Sequence, residues 1–365
     1  MTGGKWEAFK EDIQGKSFWY IIRKVFLHFV YFFKTYNRRK AKAFRLRQYQ
    51  KVAFAFLSKL PGWKGTTNKK YDRELIVSLT TYPGRIAFVS NATKSLLLQN
   101  RKPNRLILWL AESQFPNKEA DLPKELVDQC RYGLEIRWCE DLRSYKKLIP
   151  ALRAFPEAVI VTTDDDTYYQ RSMLRKLHNA YRKDPDVIWA HAVSIFMAKD
   201  GALVGRVWIS NPEYLRFWNR SSVKIRSMAQ YARIPTFLNQ AIGVSGALYP
   251  PHSLHPDVLQ EDRFMTLCPT NDDIWFWLMA ARAGKRTAVP KRDYYIDYTV
   301  DGTQSVDETL YWINERGGIF DRDFHHLLKE YPEVEKTLLE EFDRVIGSIG
   351  EMTTVKFNHW RNSNH

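Results

Sequence analysis

Two acidic groups in this sequence are suited to chemistry. The first is Asp164-Asp165-Asp166, which follows the apolar run Ala158 to Thr162 (AVIVT) and Thr163. Adjacent carboxylates cannot lie on a buried strand without partners. At the end of a strand a divalent cation relieves their mutual repulsion, and hard oxygen ligands suit Mn2+ or Mg2+, which also bridge phosphates. On an extended backbone alternate residues share a side, so Asp164 and Asp166 are expected to face one site while Asp165 turns away. The bland alternative is an acidic turn without a ligand. The second group is Asp272-Asp273, inside Pro269-Thr270-Asn271-Asp272-Asp273-Ile274-Trp275-Phe276-Trp277. Thr270 or Asn271 is expected to cap a helix here, with the two carboxylates complementing its dipole. Capping alone would explain the pair. A carboxylate held at a helix start beside aromatic side chains is also a good general base. A metal–phosphate site with a separate carboxylate base is what an inverting sugar transfer requires. The metal neutralises the departing nucleoside diphosphate and the base deprotonates the acceptor hydroxyl. Between the two groups lies Gly243-Val244-Ser245-Gly246, leading to Pro250-Pro251. Its glycines would permit close approach of a ligand to the backbone, and they read equally as an ordinary turn.

The elements that must position these residues alternate in type. Leu75 to Leu79, Arg105 to Leu110, Leu134 to Trp138 and Ala158 to Thr162 read as short apolar strands. Ile86 to Gln99 and Tyr145 to Phe155 carry helical spacing. That alternation predicts a mostly parallel sheet with crossover helices and a ligand site beyond the carboxyl ends of its strands. Asp321 to Phe342 is helical in pattern, divided by Pro332. Trp208, Tyr214, Phe217 and Trp218 are read as core filling, with no sugar contact assigned.

Charge divides the chain. Of 365 residues, with a formal net charge of +15, the first 70 hold 17 Lys and Arg against 3 Asp and Glu. The remainder is nearly neutral. Phe18 to Phe33 (FWYIIRKVFLHFVYFF) is apolar and aromatic but interrupted by Arg23 and Lys24. As a helix it would rise about 24 Å, short of the roughly 30 Å hydrocarbon core. A cleaved signal peptide is not expected, because no small-residue cleavage site follows. Lys34 to Lys51 adds eight basic residues and no acid. Residues 18–51 therefore read as an in-plane anchor on an anionic membrane surface. The alternative is a helix packed on the protein's own body with a solvated basic side. Nucleic acid is not expected as a partner, since the rest of the chain is near neutral and carries no nucleic-acid motif. Three scattered cysteines fit neither a disulfide framework nor a Cys-based zinc site, and point weakly to a reducing compartment. The expected organisation is a basic extension over 1–70, with a linker at Pro61-Gly62 and Gly65 to Lys70. The main body follows over 71–320, which the family resemblance given next would divide, as a catalytic domain, into a nucleotide-binding half (71–170) and an acceptor half (171–320). A helical segment over 321–365 ends the chain.

Taken in order, these stretches resemble a known group. They are Ser78-Leu79-Thr80-Thr81-Tyr82-Pro83-Gly84-Arg85-Ile86 with Ser95 to Gln99, then Asp141 with Ser144 to Pro150, then Asp164 to Asp166, Gly246 to Pro251, and Asp272 to Phe276. The set is similar to bacterial glycosyltransferases of the GT-A fold, of the family-2 type that builds capsule, O-antigen or other surface polysaccharide. The resemblance covers roughly residues 74 to 330. It implies an α/β, GT-A-type, mostly parallel sheet flanked by helices, and a hexosyltransferase using a nucleotide-sugar donor and Mn2+ or Mg2+. Thr80, Thr81 and Arg85 would line the nucleotide pocket, Asp141 would sit near the base or ribose, and Lys147 near the diphosphate. Asp164 and Asp165 would face the donor. Asp166, with Asp164, would hold the metal. Asp273 would be the catalytic base with Asp272 supporting it, and Gly246 and Trp275 would lie on the acceptor side. The acceptor would be a lipid-linked or glycan chain, reached from the cytoplasmic face of the inner (plasma) membrane. His191-Ala192 departs from the pattern, where similar enzymes often place an Arg beside a His. The third metal ligand is unplaced, with His325 and His326 as candidates. Two other classes compete. A sugar-phosphate nucleotidyltransferase would want a richer glycine loop after the first strand than TTYPGRI, and a non-catalytic membrane-binding protein would have no use for both aspartate groups.

Overall fold

Short runs of β-branched and leucine residues form the strands, and both sides of most of them are covered. The computed structural model describes residues 41, 44–209, 231–290, 298–300, 302–303, 314 and 318–346. The apolar stretch Phe18 to Phe33, most of the basic run after it, and Tyr214, Phe217 and Trp218 lie outside the described residues. The chain divides into two compact units, 1–51 and 52–365. The described residues of the first, 41 and 44–51, are helical, and everything below concerns the second. Among the described residues no helix is long and apolar enough to cross a membrane.

The strands are β1 (Leu75–Thr80), β2 (Arg105–Ala111), β3 (Leu134–Cys139), β4 (Val159–Thr162), β5 (Thr167–Tyr168), β6 (Ile188–Ala190), β7 (Val193–Lys199), β8 (Ala202–Ile209), β9 (Asn239–Ala241), β10 (Ala247–Tyr249), β11 (Thr287–Ala288) and β12 (Tyr298–Thr299). The helices used here are α1 (Ile86–Leu97), α2 (Ile149–Ala154), α3 (Met173–Tyr181), α4 (Glu261–Leu267), α5 (Asp272–Arg282), α6 (Ile319–Glu330) and α7 (Pro332–Val345). Seven strands form the main sheet in the order β11-β6-β10-β4-β1-β2-β3. All neighbours in it are parallel except β10, which runs antiparallel to both β4 and β6. The fold is thus a mixed α/β architecture with a mostly parallel sheet flanked by helices. Strands β8-β7-β9 make a small antiparallel sheet, and β5 pairs with β12.

Alternation along β1 feeds two cores. Leu75, Val77 and Leu79 pack with Val89 and Leu96 of α1 and Leu174 of α3. Ile76 joins Ile107, Ile160, Tyr145, Ile149 and Phe276 on the other side. Burial on both sides is why these strands read as continuous apolar runs. Ser78 and Thr80 are the polar residues in LIVSLT, and the fully buried Ser78 hydroxyl has work to do in the site.

Two expectations shift and one holds. Tyr145 to Phe155 is not one helix. A 3-10 turn over Arg143–Lys147 precedes α2, and Pro150 occupies its first turn, where its missing N–H costs nothing. The expected linker is part of the second unit, because Gly65 N–H donates to Tyr132 O (2.8 Å) and Thr67 N–H to Pro103 O (3.0 Å). The break at Pro332 falls where expected, between α6 and α7.

Glu341 of α7 ties the C-terminal helices to the domain. It is buried, and accepts from Arg286 Nε (3.0 Å) and Arg344 Nη2 (2.7 Å). Burial opposes its charge, but the two guanidiniums prevail and hold its pKa at about 2, below the ordinary 4.5. A depressed carboxylate pKa stabilises the fold above the unfolded value and loses that contribution as pH falls. We predict that Glu341→Gln costs about 2 kcal/mol at neutral pH. In urea unfolding, the gap between wild type and variant should narrow as pH drops from 4.5 toward 2. A gap that is absent at pH 7, or independent of pH, would contradict this role.

Candidate active site

The sheet delivers both aspartate groups to one place. Strand β4 ends at Thr162, and the chain turns at Asp165-Asp166 before β5. The turn breaks the strand alternation, so the expected pairing of Asp164 with Asp166 is not observed. Instead Asp165 and Asp166 share Arg85, whose Nη1 lies 2.9 Å from Asp165 Oδ1 and 3.1 Å from Asp166 Oδ2. Thr81 Oγ1 also donates to Asp165 Oδ2 at 2.5 Å. Arg85 closes the 3-10 turn Pro83–Arg85 that leads into α1, so the loop after β1 is clamped to the loop after β4. Thr80 serves the sheet, donating through Oγ1 to Trp109 O of β2 at 2.8 Å. Burial and the neighbouring charges of Asp164 and Asp165 push the Asp166 carboxyl up to about 7 against the pull of Arg85. Burial likewise raises Asp165, opposed by Arg85 and Thr81.

Asp164 points elsewhere, to Lys147. The Lys147 ammonium, only 7% exposed, lies 2.8 Å from Asp272 Oδ2, 3.2 Å from Asp164 Oδ1 and 3.4 Å from Asp273 Oδ1. Burial disfavours its charge, but the three carboxylates raise its pKa well above the ordinary value. Its backbone is fixed from below: Ser78 Oγ donates to Lys147 O (2.6 Å) and accepts from Trp109 Nε1 (3.1 Å). The preceding Lys146 diverges to Asp141, with Nζ 2.5 Å from Oδ1. In a 3-10 turn successive side chains splay by about 120°. Asp141 also accepts from Gln114 Nε2 (2.8 Å) and Arg143 N (3.1 Å). Burial opposes its charge, and Lys146 foremost, with Arg143, lowers its pKa.

Asp272 and Asp273 open α5, but neither Thr270 nor Asn271 caps it. Asn271 Nδ2 donates to the buried Asp323 of α6 (3.1 Å), and Thr270 Oγ1 donates to Asn314 (2.8 Å). Both side chains are used to hold the loop before the helix. Gly243 N–H donates to Asp273 Oδ2 at 2.9 Å. A β-carbon at Gly243 would fall 2.7 Å from Lys147 Nζ and 2.9 Å from Asp273 Oδ1, so the ammonium occupies the space a side chain would need. Burial pushes Asp273 up to about 6, with Lys147 opposing. The Asp273 side chain is 24% exposed and that of Asp272 8%. Asp273 is therefore the more accessible of the pair, and Asp272 the closer partner of the lysine.

Tyr169 links the two groups through a single hydroxyl. It is fully buried, accepts from Asp164 N–H (2.7 Å), and donates to Val244 O (2.9 Å). Val244 follows Gly243, so the strap runs from Asp164 through Tyr169 to the turn that holds Asp273. Sequence reasoning missed it, since nothing in Thr167-Tyr168-Tyr169 distinguishes one tyrosine from the other. Ser78 was missed as well, although a serine inside the apolar run LIVSL is a signal that could have found it.

Other expected residues sit apart. Trp275 is fully buried, its indole N–H donates to Val258 O (3.2 Å), and it packs against Phe264 and Tyr331. This corrects the acceptor-side expectation: Trp275 is a core residue. Gly246 has φ +96°, a conformation suited to glycine, and its N–H donates to Gly243 O (2.9 Å). It shapes the turn into β10. His191 is buried against Met173 O, and His325 and His326 are exposed on α6. Among the described residues no group of three or more His, Cys, Asp or Glu is arranged as a metal cage. Carboxylate oxygens suit a hard cation in kind, but here Asp164 turns to Lys147 and Asp166 to Arg85. Asp164 and Asp166 offer carboxylate oxygens in a crowded acidic turn, and Mg2+ or Mn2+ commonly takes one or two carboxylates with the rest from phosphates and water.

No family model matches the chain, and no curated relative matches it in sequence. Solved structures resemble it in chain path. One is the mannosyltransferase PcManGT of Pyrobaculum calidifontis in complex with GDP-Man and Mn2+, at 15% identity and a TM-score of 0.44, covering 84% of this chain and 79% of that one. A second is Staphylococcus aureus TarS 1–349, at 13% and 0.39, covering 77% and 75%. A third is the inositol-1-phosphate CTP transferase of T. maritima, at 11% and 0.36, covering 69% and 96%. All three TM-scores are below 0.5, and these likenesses carry no argument about chemistry.

Removing the Tyr169 hydroxyl would leave the Asp164 N–H and the Val244 carbonyl without this partner in a buried place. Tyr169→Phe is predicted to lower unfolding stability by about 1–3 kcal/mol. An unchanged urea midpoint would show that the strap is not made.

Proposed function

We propose that this chain is a metal-dependent, inverting glycosyltransferase that moves a sugar from a nucleotide-sugar donor to a lipid-linked or glycan acceptor in surface polysaccharide synthesis. The observation that carries this reading is the convergence on Lys147. One ammonium holds Asp164 from the acidic turn and Asp273 from α5 within 3.4 Å. The ordered resemblance of the sequence to GT-A enzymes supports the same reading. Asp164 and Asp166 would hold Mn2+ or Mg2+, which when bound neutralises charge on the leaving diphosphate.

The chain's own residues do the rest. Arg85 and Thr81 fix the acidic turn, so its carboxylates meet the donor in a set geometry. Lys147 supplies positive charge beside that turn, where negative charge grows on the diphosphate as the glycosidic bond breaks. Asp273 takes the proton of the acceptor hydroxyl. A base with a pKa near 6 is largely ionised at neutral pH and remains basic enough to accept a proton. Asp272 and Gly243 N–H hold Lys147 and Asp273 in place. Asp141 with Lys146 forms a polar rim beyond β3 suited to the base or ribose. The protein works peripherally at the cytoplasmic face of the inner membrane, with no nucleic-acid partner.

Thermal stability measured against a panel of nucleotides and nucleotide sugars, with and without Mn2+, tests the donor side. One nucleotide class should stabilise the protein only with metal, and Asp166→Ala should abolish that metal-dependent part. No response to any nucleotide in either condition would refute the assignment. Pyrophosphate release from a nucleoside triphosphate and a sugar phosphate would instead identify a nucleotidyltransferase.

The base is tested separately. Asp273→Asn should lower transfer by about 100- to 10,000-fold while leaving metal-dependent nucleotide stabilisation intact. In the wild type, kcat/KM should rise with pH through about 6 as Asp273 ionises, and fall away below it. A flat profile between pH 5 and 7 would remove Asp273 from this role.

A further inference from the structure

We infer that the catalytic unit carries its own lipid-docking face, formed by Val52, Phe56 and Leu60 and flanked by Lys59 and Lys64, and that its partner is an anionic bilayer surface. The inference deepens the peripheral-membrane part of the proposed function and rests on it, but not on the transferase chemistry. Among the described residues, five of the eight exposed large apolar side chains fall between positions 44 and 60. Three of them belong to the second unit: Val52 is 67% exposed, Phe56 64% and Leu60 44%. Residues 52–57 are helical, and a turn follows. A spacing of four puts Val52 and Phe56 along one side of this helix, and Leu60 follows in the turn beyond its end.

The other side is fixed to the domain. Phe54 meets Trp63 and Tyr132 edge-on, with ring centroids 5.8 and 5.3 Å apart, and Lys94 of α1 lies 5.6 Å over the Phe54 ring. Tyr132 OH donates to Ser58 O (3.3 Å). The exposed apolar side chains therefore project from an element anchored beside β3 and α1. A membrane holding them would orient the catalytic unit as well as tether it.

Charge selects the occupant. Within the second unit, residues 52–71 contain four Lys and no Asp or Glu. A second copy of this chain would bring the same charge to the same place and be repelled, as would any other basic partner. An anionic headgroup layer supplies both the counter-charge and an apolar interior for shallow insertion. The few apolar residues, ringed by lysines, suit an interfacial contact and not a span.

The test uses the full chain and co-sedimentation with phosphatidylcholine vesicles, with or without phosphatidylglycerol. The wild type should bind the anionic vesicles and bind the neutral ones poorly. Val52→Ser, Phe56→Ser and Leu60→Ser together should weaken binding to anionic vesicles at least about tenfold. Because these side chains are exposed, the variant should keep its unfolding midpoint. Lys59→Gln with Lys64→Gln should weaken binding several-fold and reduce its salt sensitivity. The inference is overturned if the wild type fails to bind, or if the triple variant binds as tightly as the wild type. It is also overturned if the triple variant changes only a self-association seen by sedimentation equilibrium. Metal-dependent nucleotide stabilisation, measured on the same samples, separates failure of this face from failure of the transferase reading. A protein that responds to nucleotide but ignores vesicles loses the docking face and the peripheral placement, and keeps the transferase reading.

Discussion

An ammonium group taken out of water costs several kcal/mol unless its surroundings return that energy. Lys147 is buried, and the return comes from Asp164, Asp272 and Asp273. Each of these carboxylates is in turn costly to bury without the lysine. The four groups are therefore stable only together. They come from three separate parts of the chain: the turn after β3, the turn after β4 and the start of α5. The requirement that they meet constrains where those segments can lie. Breaking such a group by removing one member is more damaging than never having built it, because the remaining charges stay buried. Stability is a weak reason for such an arrangement, and a reactive site is a better one.

Around this centre the fold spends its uncommon residues. Ser78 interrupts an apolar strand because its hydroxyl holds the Lys147 carbonyl, with Trp109 Nε1 completing the bond. Gly243 lacks a side chain because the ammonium fills that volume. Tyr169 spans from Asp164 N–H to Val244 O and so ties the acidic turn to the loop that binds Asp273. Asp323, buried on α6, holds Asn271 just ahead of α5. The C-terminal helices thereby bear on the site without touching substrate. In this sheet β10 runs against its neighbours β4 and β6, which lets the turn at 243–246 arrive beside the carboxyl end of β4.

How much of this was legible follows from the range of the interactions. The strands β1, β2 and β4 were readable to within a residue or two because burial on both sides leaves a nearly unbroken apolar run, and the half-buried β3 was readable from the alternation in LEIRW. The two-residue strands β5 and β12 have no such signature. The acidic triplet was legible as a site, but its internal geometry was not. Alternation holds only while the backbone is extended, and Asp165-Asp166 form a turn. Trp275 misled for a related reason. A helix start suggested an aromatic wall at the site, yet Ile274 to Ala281 are all buried, so α5 is apolar on every side and its tryptophan faces the core. The link from Lys147 to Asp273 spans 126 positions, and no local pattern encodes a contact at that distance. Only the family resemblance placed Lys147 near the chemistry at all.

The lysine also resolves a conflict that the proposed reaction would otherwise face. A metal site and a carboxylate base placed close together compete for the same cation, and a carboxylate that binds the metal loses its basicity. Lys147 stands between Asp164 and Asp273 and carries a fixed positive charge that cannot migrate. It lowers the electrostatic demand of Asp273 for a second cation while repelling one from that side. Arg85 acts at the other end of the acidic turn, satisfying Asp165 and one oxygen of Asp166. The guanidinium reaches both carboxylates through Nη1 alone, whereas the compact ammonium suits the three-sided pocket. The two side chains thus divide five aspartates into a pair held by the guanidinium and three held by the ammonium, and the difference between Arg and Lys at these positions is part of the division.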